Sequence, residues 1–346
     1  MAVTKQDIAD YLGISRTAVS LALNQSSKCT LSEKNKKRIF EAARELGYPL
    51  STGSVTRKIC AALFDVNSRQ AYTTDYNVIN EVDDYLGGLG YNMVYLNVSN
   101  TERSLRRFYK YIESGDADGL VIFSLLDRTV LERVEQLGIP YVVFSEMDGN
   151  VPNCCSPDAA YAAREMTRKL IGLGHRDIAF WCCDLKYPQQ RHLLEGYRTA
   201  LEAAGIPFNP SLVQASSRED GQELAARMKY LGIPYTAALC SNNTIQFGAL
   251  AWLRDNGVSV PKQVSLLGYG VGELMKLSQP QLSTFCYGDF INLGMAQLME
   301  SIQNGSKTYP CQWVQEGDFY AGGTLAPVWK EEAAPAGERE AAPKAQ

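Results

Sequence analysis

The chain has 346 residues, of which 45% are hydrophobic and 21% charged, and a net charge of -4. Its length favours two or three cores over one. No run approaches the roughly 18 consecutive apolar residues that cross a bilayer, and the opening MAVTKQDIADYLG has neither the basic nor the apolar region of a secretory signal, so a cytoplasmic protein without a membrane partner is expected.

Nine cysteines, an odd number with no CxxC spacing, read as reduced thiols. The adjacent pairs Cys154-Cys155 and Cys182-Cys183 fit alternating faces of buried strands, the other use of such thiols being a redox or metal sensor. His175 and His192 are the only histidines, too few for a histidine-rich metal site, and there is no Gly-rich phosphate loop or nucleophile elbow. No enzymatic activity, catalytic residue, cofactor or metal is expected.

Thr4 stands three residues before Asp7, the spacing of a capping box, and Ile8, Ala9 and Leu12 follow at helical intervals, predicting a helix over 5–12. Gly13 ends it, Ile14 is expected to plug the corner, and Ser15 caps a second helix over 16–23. Val19, Ala22 and Leu23 form its buried stripe, leaving Arg16, Thr17, Ser20 and Leu21 facing outward. A third helix is predicted over 32–46, with Ile39, Ala42, Ala43 and Leu46 on its core face. Residues 1–58 hold ten Lys/Arg against five Asp/Glu, a net of +5 that leaves -9 for the remainder. The basic end is where a polyanion would bind.

The stretch VTKQDIADYLGISRTAVSLALN, followed by RIFEAARELGYPL, resembles the headpiece of LacI/GalR transcription regulators throughout. The resemblance implies a helix-turn-helix in which Arg16 and Thr17 open the recognition helix and read base edges, Arg being suited to bidentate contact with guanine. It also implies that Thr4, Ser15, Ser20 and Asn24 hold phosphates, with Lys28 and Lys34 adding salt-dependent affinity. Leu21 either meets a thymine methyl or packs, and packing is preferred.

The family's linker usually forms a hinge helix that wedges a leucine into the minor groove. Here Tyr48-Pro49-Leu50-Ser51-Thr52-Gly53-Ser54-Val55-Thr56-Arg57-Lys58 is shorter and lacks a clear leucine at the wedge position. A regular hinge helix is therefore not expected, and the operator centre loses that deformation-based constraint. Arg57 and Lys58 either touch phosphates or are merely solvated.

From Ile59 the apolar runs KICAALFDV, NMVYLNV, GLVIFSL, YVVFSE, DIAFWCC, AALCSN and QVSLLGYG alternate with helical segments. Such runs predict parallel strands covered on both faces, in two successive doubly wound sheets that restart after Pro157. Ligands in this architecture bind beyond the carboxyl ends of the strands. KLIGLGHRDIA, GYRTAL, NGVSVP, PQLST and TLAP are similar to the family's body, which implies crossings between lobes near Cys155, Tyr287 and Gly317 and a structural His175. The fold class is thus α/β, an all-α helix-turn-helix headpiece followed by a two-lobed periplasmic-binding-protein-like type I body with parallel sheets.

The expected division is a DNA-binding domain over 1–48, a linker over 49–58, a two-lobed effector-binding and dimerisation body over 59–330, and a disordered tail over 331–346, rich in Ala, Pro and Glu. Expected cleft residues are Ser124, Arg191, Asn242 and Phe290. The family's Arg anchor falls on Leu193 and its Asn-Asp pair on Asn242-Asn243, while its Gly-Phe-Asp-Asp loop reads Gly268-Tyr269-Gly270-Val271. An ordinary sugar effector therefore does not carry over: the effector is less polar or differently charged, or sensing has been lost. The expected partners are double-stranded operator DNA, a second copy of the chain in a homodimer, and a small molecule of unknown identity. The expected function is a repressor of transcription, its rivals a DNA-binding regulator without a small effector, a pure solute-binding protein and an α/β enzyme.

Overall fold

A computed structural model describes residues 3–23, 31–46, 48, 56–64, 72–124, 127–305 and 307–328. Three helices come first: α1 (Lys5–Leu12), α2 (Arg16–Leu23) and α3 (Glu33–Glu45). The capping box of α1 is formed, with Thr4 N donating to Asp7 Oδ2 at 2.6 Å and Asp7 N donating back to Thr4 Oγ1 at 3.4 Å. Gly13 closes α1 at φ 66°, a left-handed value that its missing Cβ permits. Ser15 Oγ caps α2 by accepting from Ala18 N at 3.1 Å. Ile8, Ala9, Val19, Ala22, Leu23, Ile39, Ala42 and Ala43 meet in one small core. Ile14 departs from expectation: its backbone N–H closes onto Ala9 O at 3.0 Å while its side chain stays exposed.

The body holds two sheets. The first has the order β2-β1-β3-β4, all parallel, from β1 (Lys58–Phe64), β2 (Asn92–Val98), β3 (Gly119–Phe123) and β4 (Tyr141–Phe144). It is covered by α4 (Tyr72–Gly88), α5 (Glu102–Glu113) and α6 (Thr129–Leu137). Along β1, Cys60, Ala62 and Phe64 enter one core and Ile59, Ala61 and Leu63 the other, the period of two that buries both faces. The start of β1 is held by buried Asp118, which accepts from Thr56 N and Arg57 N at 2.9 Å each.

Next come β5 (Cys155–Pro157), α7 (Ala159–Gly172), β6 (Ile178–Cys182), α8 (Pro188–Ala203), β7 (Val213–Ala215), α9 (Gly221–Leu231), β8 (Ala237–Cys240), α10 (Asn243–Asp255), β9 (Ser265–Tyr269), α11 (Leu274–Leu277) and β10 (Ser283–Tyr287). The chain ends its described part with α12 (Phe290–Asn304), β11 (Gln312–Val314) and β12 (Gly317–Tyr320). The second sheet has the order β12-β10-β9-β8-β6-β7, parallel except for the β10–β12 pair.

Among the described residues the chain passes between the lobes three times: at β5, between β10 and α12, and between β11 and β12. Strands β5 and β11 pair with each other in parallel as a two-stranded link. Helix α12 follows a strand of the second sheet yet packs Phe290, Ile291, Met295 and Leu298 onto Val142 and Phe144 of the first lobe. A Cβ on Gly294 would lie 2.5 Å from the Phe144 ring, so glycine sets how closely that helix approaches.

The adjacent cysteines follow strand alternation. Cys182 belongs to one core and Cys183 to the other, and Cys154 and Cys155 divide in the same way. The eight described cysteines are free thiols. His175 is structural, its Nδ1 2.9 Å from Thr236 Oγ1 and its Nε2 3.0 Å from Ala326 O.

Candidate functional sites in the headpiece and the cleft

Burying Val19, Ala22 and Leu23 turns the opposite face of α2 outward. Arg16 and Thr17 are exposed at its first turn, as are Thr4 and Ser15, while Ser20 and Leu21 are half-buried. Lys5 Nζ lies 3.4 Å from Ser20 Oγ, so a cation shares the polar face. The oxygens of Thr4 and Ser15 already serve as helix caps, which orients them without hiding them. Asn24, Lys28, the linker over 49–55 and the tail over 331–346 lie outside the described residues.

Between the lobes lies a cavity of about 190 Å³. It is built as parallel sheets dictate, from residues at the carboxyl ends of strands: Ser124 after β3, Glu146 after β4, Cys183 after β6, Glu219 after β7, Asn242 after β8 and Tyr269 closing β9. Ser124, Asn242 and Phe290 therefore line the cleft. Ser124 and Glu219 sit at φ 53° and 54°, left-handed values that are rare outside glycine. Asn242 caps α10, its Oδ1 accepting from Ile245 N at 2.8 Å. Phe290 belongs to an aromatic run whose ring centroids step from Phe144 (5.6 Å) to Tyr287 (5.5 Å).

Arg191 does not line the cleft, which corrects the expectation for it. Its guanidinium closes the turn before α8 by donating to Leu185 O and Lys186 O at 3.0 and 2.6 Å, and pairs with Asp148 at 2.5 Å. Leu193, at the position of the family's Arg anchor, is wholly buried in the core. Asn243 also serves the fold, its Oδ1 3.3 Å from the hydroxyl of Thr284.

Sequence reasoning missed a pair beside the link between lobes, a buried Glu146 and a half-buried His192. His192 Nδ1 donates to Glu146 Oε2 at 2.7 Å, and Ala159 N donates to Glu146 Oε1 at 2.9 Å. Burial pushes the Glu146 carboxyl above its ordinary range against the pull of His192, and the hydrogen bond to Glu146 raises the His192 imidazole. The edge of Trp313 on β11 meets the His192 ring at 6.0 Å. The available signal was a lone carboxylate ending the apolar run YVVFSE. Also missed was Tyr269, whose hydroxyl is buried without a hydrogen-bond partner among the described residues.

A three-helix headpiece joined to a two-lobed α/β body with a cleft at its strand ends defines a class, that of ligand-responsive helix-turn-helix regulators. Residues 167–288 match the periplasmic binding protein-like domain family. The chain is 26% identical over 292 residues to the HTH-type transcriptional repressor PurR of Haemophilus influenzae (strain PittEE), spanning 81% of this chain and 85% of that protein. It is 24% identical over 297 residues to the HTH-type transcriptional regulator DegA of Bacillus subtilis (strain 168), spanning 82% and 86%. The fold is shared with a CelR–cellobiose complex (TM-score 0.69, 23% identity, 93% of this chain and all of that one). It is shared too with a lac repressor dimer bound to operator and an anti-inducer (TM-score 0.68, 22% identity, 94% and 100%). The chain is thus similar over most of its length to helix-turn-helix transcription regulators, and its fold is that of LacI-type repressors. The curated relatives are regulators, not enzymes, and among the described residues no helix is long and apolar enough to cross a membrane.

Proposed function

We propose that this regulator represses transcription as a homodimer whose two headpieces occupy successive major grooves of a near-palindromic operator. In this reading residues 1–48 bind DNA, 49–58 link, 59–330 sense and dimerise, and 331–346 form a tail. Arg16 and Thr17 read bases, Thr4, Ser15, Ser20 and Asn24 hold phosphates, and Lys28 adds salt-dependent affinity. The observation that carries the proposal is the exposure of Arg16 and Thr17 at the first turn of a helix whose other face is locked in a core.

Sensing belongs to the cleft, where Ser124, Asn242 and Phe290 touch a small molecule and closure alters the placement of the headpieces. Control of this kind is a population shift and requires unequal ligand affinity for the two states of the body. The buried, unpartnered Tyr269 hydroxyl supports a ligand over a body that has lost sensing.

The test is selection from a random duplex library by the full-length protein and by Arg16→Ala, at near-physiological salt because nonspecific affinity varies steeply with salt. The expected result is a two-fold symmetric site, with Arg16→Ala weakening it by about 1–3 kcal/mol and relaxing one position in each half-site. Failure of folded, dimeric protein to enrich any sequence, with or without a metabolite library, would refute the reading.

A further inference from the structure

Strand alternation keeps the adjacent cysteines apart: Cys154 and Cys155 enter different cores, as do Cys182 and Cys183. A pair of thiols forms instead across the link between the lobes. Strands β5 and β11 run parallel with Cys155 beside Gln312, Ser156 beside Trp313 and Pro157 beside Val314, so one step earlier Cys154 stands beside Cys311. Gln312 N donates to Cys154 O at 2.8 Å, which keeps the two backbones in step at that point. Neighbouring strands lie about 4.8 Å apart, within the span of about 4.4–6.8 Å between Cα atoms that a disulfide bridges. The two side chains share a face, Cys154 in the core of the first lobe and Cys311 packed against it, with the sulfurs in hydrogen-bonding reach of each other.

The two thiols are unequal. Cys154 is wholly buried, its Sγ 3.0 Å from Ser145 O, whereas Cys311 is half-buried and the more accessible. A hydrogen bond from the Cys154 thiol, aided by the Val151 backbone, draws the Cys311 thiol below its ordinary range, and the same contact together with burial pushes Cys154 up. An accessible sulfur that ionises readily, beside a buried one that does not, is the arrangement of an attacking and a resolving thiol. Their position gives the pair leverage. Strand β5 carries the first of the three passages between the lobes and β11 leads into the third, so a bond between Cys154 and Cys311 fastens two of the three together.

We infer that Cys311 and Cys154 form an oxidation site for hydroperoxides, whose disulfide pins the link between the lobes and thereby changes operator affinity. The Cys311 thiolate attacks the hydroxyl oxygen of the peroxide, the O–O bond breaks, and water or an alcohol leaves as Cys311 becomes a sulfenic acid. The Cys154 sulfur then displaces that hydroxyl, the S–S bond forms, and the thiol proton leaves in water. Two thiols thus lose two electrons and two protons, and the same two electrons reduce the peroxide. A thiol reductant reverses the step. The site is independent of what the cleft binds; only the consequence for operator affinity rests on the repressor reading.

The test treats the reduced full-length protein with stoichiometric hydrogen peroxide at pH 7, blocks the remaining thiols by alkylation, and maps peptides without reduction. The expected product is a Cys154–Cys311 linkage lighter by two hydrogens and reversed by dithiothreitol. Cys311→Ser abolishes it, and Cys154→Ser stops at a Cys311 sulfenic acid that dimedone traps. Hydrogen exchange at the β5 and β11 amides slows on oxidation of the parent and not of Cys311→Ser, a comparison that stands even if the buried Cys154→Ser misfolds. Operator affinity of the parent shifts about fivefold or more on oxidation and returns on reduction, while that of Cys311→Ser does not move. Linkage of other cysteines in place of this pair, unchanged exchange in the linked protein, or operator affinity indifferent to the linkage overturns the inference. If the reduced protein selects no operator, the repressor reading fails, and peptide mapping and exchange still decide the thiol pair.

Discussion

Glu146 and His192 share a proton at 2.7 Å beside the link between the lobes, and both side chains have raised proton affinities. A group whose folded pKa is raised contributes stability in full below its unfolded value and loses it as pH climbs through the folded value. For His192 that window opens at its ordinary 6.5 and extends upward. Once His192 is neutral, a carboxylate with a side chain only 1% exposed is left without a cation. The stability of the parent relative to Glu146→Gln should therefore fall as pH rises beyond 6.5, by about 1.4 kcal/mol for each tenfold by which Glu146 raises the proton affinity of His192. Thermal melts of both proteins from pH 6 to 9 check the slope. An NMR titration in which Glu146→Gln leaves the His192 midpoint unmoved would contradict the account. Residues at this scale were only partly legible in the sequence. Ser124, Asn242 and Phe290 lie where strand ends put them, whereas Arg191 is claimed by two carbonyls of its own turn and by Asp148, a partner 43 positions away. Distant pairing of that kind leaves no local pattern to read.

Helices pack on one another here through glycines at backbone contact. A Cβ on Gly221, the first residue of α9, would lie 1.8 Å from Ile245 O of α10, and one on Gly196 of α8 would lie 2.1 Å from Ala160 O of α7. Neither obstacle is a side chain that can turn aside. Gly221→Ala and Gly196→Ala should each destabilise the body by about 3 kcal/mol as the helix pair is forced apart. Gly172→Ala, with open space at its Cβ on the last turn of α7, should be neutral or gain up to about 1 kcal/mol. Denaturant midpoints of the three variants separate a steric origin from a generic intolerance of glycine loss. Element boundaries were legible where the signal is local: the Thr4 capping box, Gly13 and Ser15 delimit α1 and α2 at the residues the sequence suggests, and the seven apolar runs all became strands. Short strands were not. Of these, β5, β7 and β11 span three residues each, too few for an alternation to register, and β5 includes a proline. Pairing with partners far along the chain holds them in place, as in the β5–β11 register of Gln312 with Cys155.

At the scale of the molecule, the three passages between lobes join two rigid sheets through a narrow strand pair, with the aromatic run on one side of the link and the Glu146–His192 pair beside it. Few connections and a filled cleft are what a two-state body requires: a ligand held by both lobes favours the closed arrangement only by the difference in its affinity for the two states. If that arrangement sets the spacing of the headpieces, operator and ligand must report on each other. A ligand that changes operator affinity by some factor must have its own affinity changed by operator by the same factor, within a coupling of about 5- to 150-fold. Measuring the operator Kd with and without saturating ligand, and the ligand Kd with and without saturating operator, gives two factors that should agree in size and sign. Equal, non-unit factors establish that the cleft and the headpieces read one equilibrium. Two factors of one would leave the headpieces indifferent to the cleft, and the linker over 49–58, whose sequence is shorter than the family's usual pattern, would be the element to lengthen first.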